Sequence, residues 1–134
     1  MTAVDTSVVV AAFATWHERH SEARSIVDKG ARLVAHCGFE SYSVLTRLPP
    51  PHRAAPEIIL EFLKARFKSP WLMLSAKDAE ELVPTLVANG ITGGATYDAI
   101  VARTARAAGA TLVTCDVRAV RTYESLGVRY SVVE

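Results

Sequence analysis

Two rhythms of apolar and polar positions alternate along the chain. Short β-branched or aliphatic runs are followed by longer stretches in which apolar residues recur at helical spacing. Thr2 to Val4 is the first short run and predicts a strand, with Thr6 or Ser7 placed to cap the helix that follows. Ser21 to Lys29 predicts a second helix closed by Gly30, and Arg32 to Ala35 a strand. Gly38 to Leu48 reads as a helix that ends at Pro49, Pro50 and Pro51, because proline fixes φ and has no N–H to donate. Pro56 opens another helix, along which Ile59, Leu60, Leu63 and Phe67 recur.

Trp71 to Leu74 predicts the next strand, and Ser75 with Asp78 resembles a capping box. The stripe Leu82, Val83, Leu86 and Val87 predicts a helix that ends at Asn89-Gly90, with a kink expected at Pro84. Thr96 to Ala108 is a helix stopped by Gly109, Thr111 to Thr114 a strand, Arg118 to Leu126 a helix closed by Gly127, and Val128 to Val133 a final strand. Strands that alternate with helices in this way predict an α/β fold, an α/β/α sandwich around a central, mainly parallel sheet. No repeat or low-complexity segment interrupts residues 1–134, so one domain is expected.

Composition narrows the class. At 134 residues and 50% hydrophobic, the chain can bury roughly two-thirds of its unfolded surface and needs no staple to fold. Cys37 and Cys115 form neither a disulfide framework nor a zinc-type spacing, which points to a reducing cytoplasm. The longest apolar run, Val8 to Ala14, is far short of the ~18 residues that span a bilayer, so no membrane association is expected. With 15 Lys+Arg against 14 Asp+Glu, the charge balance alone names no partner.

The acids acquire meaning once placed on the elements. In open α/β sheets, ligands gather outside the carboxyl ends of the strands, where loops meet helix N-termini. Asp5 follows the first strand, Glu40 lies in the first turn after Arg32 to Ala35, Asp98 opens the helix near Thr96, and Asp116 follows Thr111 to Thr114. An acid at a helix start is ordinarily a cap or dipole partner, but four from four different junctions repel one another when they converge. Protonation of one or two relieves that repulsion. A divalent cation is the simpler compensation, because no Lys follows Lys77. Oxygen ligands without a nearby His or Cys pair select Mg²⁺ or Mn²⁺, which suits phosphoryl chemistry.

Other readings fail on their central residues. A haloacid-dehalogenase phosphatase needs a second Asp where Ser7 stands, and a receiver domain needs a Lys after its last strand. His17 and His20 flank Glu18 and Arg19 without forming HExxH and read as surface residues. Arg103, Arg106, Arg118 and Arg121 follow Asp98 or Asp116 and are candidates to flank the acids and steer a phosphate backbone. Phe13, Trp16, Phe62 and Phe67 read as core, or as part of a face for a partner.

Val4-Asp5-Thr6-Ser7, Phe39-Glu40 followed by Leu45-Thr46-Arg47-Leu48-Pro49, Ala95-Thr96-Tyr97-Asp98-Ala99 and Thr111-Leu112-Val113-Thr114-Cys115-Asp116 together resemble the PIN-domain ribonucleases. Within them the length and the stretch from Gly90 to Asp98 look like the VapC toxins of toxin–antitoxin pairs. The resemblance implies a PIN-like fold and a Mg²⁺- or Mn²⁺-dependent endoribonuclease that cuts structured RNA, commonly tRNA or rRNA, and stops translation. It also implies a cognate antitoxin and a homodimer. Carried over by position, Asp5 and Asp98 would be the principal metal ligands, Glu40 and Asp116 would complete the cluster, and Thr6 and Thr114 would orient a carboxylate or a water. Cys115 departs from the Arg or other polar residue that many relatives carry before the last acid, and reads as a small buried hydrophobe. The competing reading is a catalytically inactive PIN-like module that binds protein or RNA.

Overall fold

The computed structural model describes residues 1–134. Its strands are β1 (Thr2–Val4), β2 (Arg32–Leu33), β3 (Thr111–Thr114) and β4 (Tyr130–Val132). Seven helices connect or follow them: α1 (Thr6–Phe13), α2 (His20–Asp28), α3 (Ala35–Arg47), α4 (Pro56–Arg66), α5 (Ala76–Ala88), α6 (Ala95–Ala107) and α7 (Val120–Ser125). The sheet order is β2-β1-β3-β4, and every pairing is parallel.

Strand β1 lies inside the sheet, so it has no solvated face or free edge, and Ala3 and Val4 are fully buried. Val4 is in register with Leu33 on one side and Val113 on the other, which brings the carboxyl ends of β1, β2 and β3 to the same level. One contiguous core of 30 buried residues joins the sheet to its helices. Helix α1 packs on α2, α3 and β3, and α6 packs on α5, α7 and β3. The crossovers thereby deliver the N-termini of α1, α3 and α6 toward one end of the sheet.

Several boundaries differ from expectation, each for a local reason. The cap of α1 is Asp5 and not Thr6 or Ser7, because Asp5 has extended backbone angles and its carboxylate accepts from the Val8 amide. Strand β2 is shorter than Arg32 to Ala35, and α3 begins at Ala35, so Glu40 is its sixth residue and lies beyond the first turn. The helix runs through Gly38 because a neighbour covers it. A Cβ there would meet the Trp71 ring at 2.7 Å, so only glycine admits the indole. The strand expected over Trp71 to Leu74 contracts to one bridge, Val34 to Leu72, where Leu72 N donates to Leu33 O at 2.8 Å and Ala35 N to Leu72 O at 2.9 Å. Trp71 and Met73 on either side are exposed, so further pairing would bury nothing. Helix α5 continues through Pro84, and Ser75 caps it by accepting from the Asp78 amide. Helix α7 begins at Val120, two residues later than expected, after a turn.

Candidate active site

The carboxyl ends of β1 and β3 form the floor of the site. Asp5 N donates to Val113 O at 3.2 Å, extending the ladder by one residue before the chain turns into α1. The residue is 5% exposed, and both carboxylate oxygens accept hydrogen bonds. Oδ1 accepts from Ser7 Oγ at 2.5 Å and from Val8 N at 3.3 Å, and Oδ2 accepts from the Tyr123 hydroxyl at 2.7 Å. Burial raises the Asp5 carboxyl above the ordinary range, and the Ser7, Thr114, Tyr123 and Val8 hydrogen bonds only partly oppose it. Beside the acid, burial first and the Asp5 charge second push the Tyr123 hydroxyl far up, so it remains a donor.

Ser7 Oγ also accepts from Cys115 N at 2.8 Å and lies 3.3 Å from Thr114 Oγ1. Thr114 Oγ1 in turn accepts from Asp116 N at 2.9 Å. The hydroxyls of Ser7 and Thr114 thus tie the end of β1 to the end of β3. Asp116 Oδ1 accepts from Arg118 N at 3.0 Å and from Arg118 Nε at 3.4 Å, closing a short turn around the carboxylate.

Glu40 and Asp98 complete the acidic lining from two helices. Glu40 Oε2 lies 3.5 Å from His36 Nε2, one turn earlier on α3. The His36 ring faces Tyr97 with centroids 5.3 Å apart and 7° between the planes. Asp98 is in the first turn of α6. Its carboxyl is pushed up to about 6, by burial first and then by Asp116, Asp5 and Glu40. Asp5, Glu40, Asp98 and Asp116 all line one cleft, together with Thr6, Ser7, His36, Cys37, Tyr97, Val101 and Tyr123. Thr6 Oγ1 is buried on this wall without a hydrogen-bond partner.

The four arginines separate. Arg118 borders Asp116 and lines an adjoining groove with Arg19 and His17. Arg121 is exposed on α7 and does not line the acidic cleft. Arg103 instead pairs with Asp78 on α5 at 2.8 Å, and Arg106 donates to Leu126 O at 3.2 Å, so both serve helix packing. Position 103 is five residues past Asp98, roughly 140° around the helix. Cys115 is half-buried and not a core residue, with its thiol raised to about 11 by burial and then by the Asp5 charge. His20 Nδ1 meets Ala11 O at 2.8 Å and His17 Nδ1 accepts from Arg19 N at 3.0 Å, both local backbone contacts.

Ser7, His36, Tyr97 and Tyr123 line the cleft without having been singled out from the sequence. Ser7 carried a signal, its two-residue spacing from Asp5 at a helix start. Tyr123 carried none, because it sits at an ordinary core position 118 residues from its partner.

The donor set suits a hard divalent ion: four carboxylates, buried enough to repel, with one already holding its proton toward pH 6. No three His, Cys, Asp or Glu side chains close on a single point. That arrangement is compatible with Mg²⁺ or Mn²⁺, which keeps several waters and takes one or two direct carboxylates rather than an all-protein cage.

Comparison with known proteins agrees with this geometry. Residues 2–125 match the family model described as PIN domain. The chain is 52% identical over 133 residues to "Ribonuclease VapC40" of Mycobacterium tuberculosis, covering 99% of each. It is 43% identical over 127 residues to "Ribonuclease VapC27" of the same species, covering 94% of this chain and 92% of that protein. The DNA-bound VapBC structure from Salmonella typhimurium shares the fold at a TM-score of 0.72 and 18% identity, with both chains covered at 100%. FitAcB from Neisseria gonorrhoeae does so at 0.70 and 19%, covering 97% of this chain and 96% of that one. A full-length match at this identity, on a fold whose cleft collects four acids, places the chain in the PIN-domain family, among its VapC ribonucleases.

Proposed function

We propose that this chain is a divalent-metal-dependent endoribonuclease, the toxin of a toxin–antitoxin pair, that cuts structured RNA such as tRNA or rRNA in the cytoplasm. The observation that carries the reading is the convergence of Asp5, Glu40, Asp98 and Asp116 from four segments into one cleft. Asp5 and Asp98 would hold Mg²⁺ or Mn²⁺, with Glu40 and Asp116 acting directly or through water. When bound, the ion supplies an activated water and neutralises charge on the phosphate oxygens.

The chain's own residues do the rest. Ser7, Val8 and Tyr123 fix the Asp5 carboxylate, so it cannot rotate away from the cleft. Thr114 and the Arg118 amide set the backbone and carboxylate of Asp116. Asp98 binds a proton near pH 6 in the metal-free protein and must release it to become a ligand. Arg118 and Arg19, beside the cleft, offer positive charge to an RNA backbone.

Exposed apolar residues support a protein partner. Phe39, Tyr42, Leu60 and Trp71 line a groove at α3 and α4, and Phe39 is 70% exposed. This differs from the expected aromatic set, of which Phe67 is buried and Phe13 and Phe62 pack edge to face at 5.2 Å, leaving only Trp16 exposed. An amphipathic antitoxin segment fits such a groove, and a homodimer is part of the same reading.

Purified protein is expected to cleave RNA with Mg²⁺ or Mn²⁺ and to stop when a chelator is added. Asp98→Asn is expected to stay folded and lose cleavage. Mapping new 5′ ends in cellular RNA after brief induction names the target. Full activity in chelator or in Asp98→Asn would sink the catalytic assignment. Calorimetric titration with Mn²⁺ separates the enzyme from an inactive binding module, since the module binds no ion.

A further inference from the structure

We propose that the His36–Tyr97 pair is a base-stacking platform that seats one unpaired nucleobase beside the phosphate to be cut, and so selects which nucleotides enter the cleft. The proposal rests on the ribonuclease reading. The two rings come from different helices, α3 and α6, so their pairing is not a local helical contact. They are nearly parallel, at 7° and 5.3 Å. Both line the cleft that holds the four acids, and Tyr97 is the immediate neighbour of Asp98.

Neither ring belongs to the hydrophobic core, and Tyr97 is 53% exposed. A tyrosine that stacks one face on His36 and remains half in solvent presents its second face to whatever enters. The two rings already meet before any ligand arrives, and Glu40 Oε2 lies 3.5 Å from His36 Nε2 without a hydrogen bond between them. A platform assembled in advance loses little side-chain freedom on binding.

Nucleobases are the ligand class this arrangement suits. Every base has a π face that stacks on an aromatic side chain, and a protein reaches that face only where the base is unpaired and splayed from its neighbours. In a duplex both faces are covered. The platform therefore favours a loop or bulge over a helix, and it discriminates at a single nucleotide flanking the scissile bond.

The test needs no natural target. A fluorescent oligoadenylate of about ten nucleotides is compared by anisotropy with the same sugar–phosphate chain lacking all its bases, with Ca²⁺ in place of Mg²⁺ to limit turnover. Removing the bases is expected to weaken wild-type binding by about tenfold. Tyr97→Ala is expected to bind intact oligoadenylate as weakly as wild type binds the abasic chain, and to be indifferent to the bases. Tyr97→Phe restores the preference. The proposal is overturned if removing the bases weakens wild-type binding by less than twofold, a result independent of any variant's folding. It is equally overturned if Tyr97→Ala keeps the wild-type preference. If wild type cleaves a long RNA with Mn²⁺ while showing no base dependence, the platform alone fails. If it neither cleaves nor binds, the ribonuclease reading fails with it.

Discussion

Asp5 and Asp98 line the same cleft under opposite regimes. Asp5 sits at the end of a central strand, 5% exposed, and hydrogen-bond donors surround it: a serine and an amide on its own helix, a tyrosine on α7 and the Thr114 hydroxyl at the end of β3. Asp98 is partly exposed at the start of a helix, and its surroundings are chiefly other acids. The contrast teaches that this site has a fixed floor and a responsive rim. Hydrogen bonds orient the floor, whereas charge repulsion governs the rim and is relieved by a proton or a cation.

The largest effect expected to test that division comes from charge removal on each side. Asp5→Asn is expected to lower kcat by at least ~100-fold, and Glu40→Gln, at the rim, by about tenfold. Equal losses in a single-turnover assay would erase the distinction. Tyr123→Phe removes only the donor to Asp5 Oδ2. It is expected to lower activity roughly tenfold and stability by about 1–2 kcal/mol, the cost of a buried charged acceptor losing a partner, read from denaturant melts.

The rim is tested by pH. A carboxyl whose folded pKa is raised from 3.8 to about 6 binds its proton more tightly in the folded protein. Folding stability is therefore fully supported below the unfolded value and declines as pH rises through that window. Asp98→Asn removes the decline, so in chelator the variant is expected to exceed wild type by on the order of 1–2 kcal/mol at pH 7.5, after discounting for partial exposure. The gain shrinks toward pH 4, and Mn²⁺ stabilises wild type more than the variant. A variant less stable than wild type at pH 7.5 would contradict the repulsion.

The smallest effects separate the arginines. Arg118→Ala is expected to weaken RNA binding a few-fold and to reduce the slope of log K against log salt by about one. Arg103→Ala is expected to leave that slope unchanged and to cost about 1 kcal/mol of stability, because its partner is Asp78 on α5.

Much of this was legible from pattern, and the limits of that legibility are physical. The βα alternation foretold the parallel sheet because its buried strands carry apolar residues on both faces, as Ala3-Val4 and Leu112-Val113 do. The segment Trp71 to Leu74 is more apolar than Thr111 to Thr114, yet only Leu72 pairs, since a strand also needs a neighbouring surface to cover. The start of α3 was displaced by Gly38, which serves as a seat for Trp71 rather than as a helix breaker. Asp5, Asp98 and Asp116 were placed at element ends from local spacing, whereas Glu40 lies beyond the first turn of α3. Their supporting groups split by distance along the chain: Ser7 is two residues from Asp5, but Tyr123 and the His36–Tyr97 stack exist only through tertiary packing. Arg103 and Arg106 were misjudged because proximity in sequence to Asp98 says little about which way a helical side chain points.

The clasp between Asp5 and Tyr123 also orders events during synthesis. Asp5 is translated well before two of the groups that fix it, since Thr114 and Tyr123 follow 109 (114 − 5) and 118 positions later. A nascent chain that stops short of β3 carries Asp5, Glu40 and Asp98 without the strand that gathers them or the fourth acid that follows it. Contacts of such long range close late. An RNA-cutting protein made by a machine of RNA thus acquires the fixed floor of its cleft only after β3 and α7 have been translated.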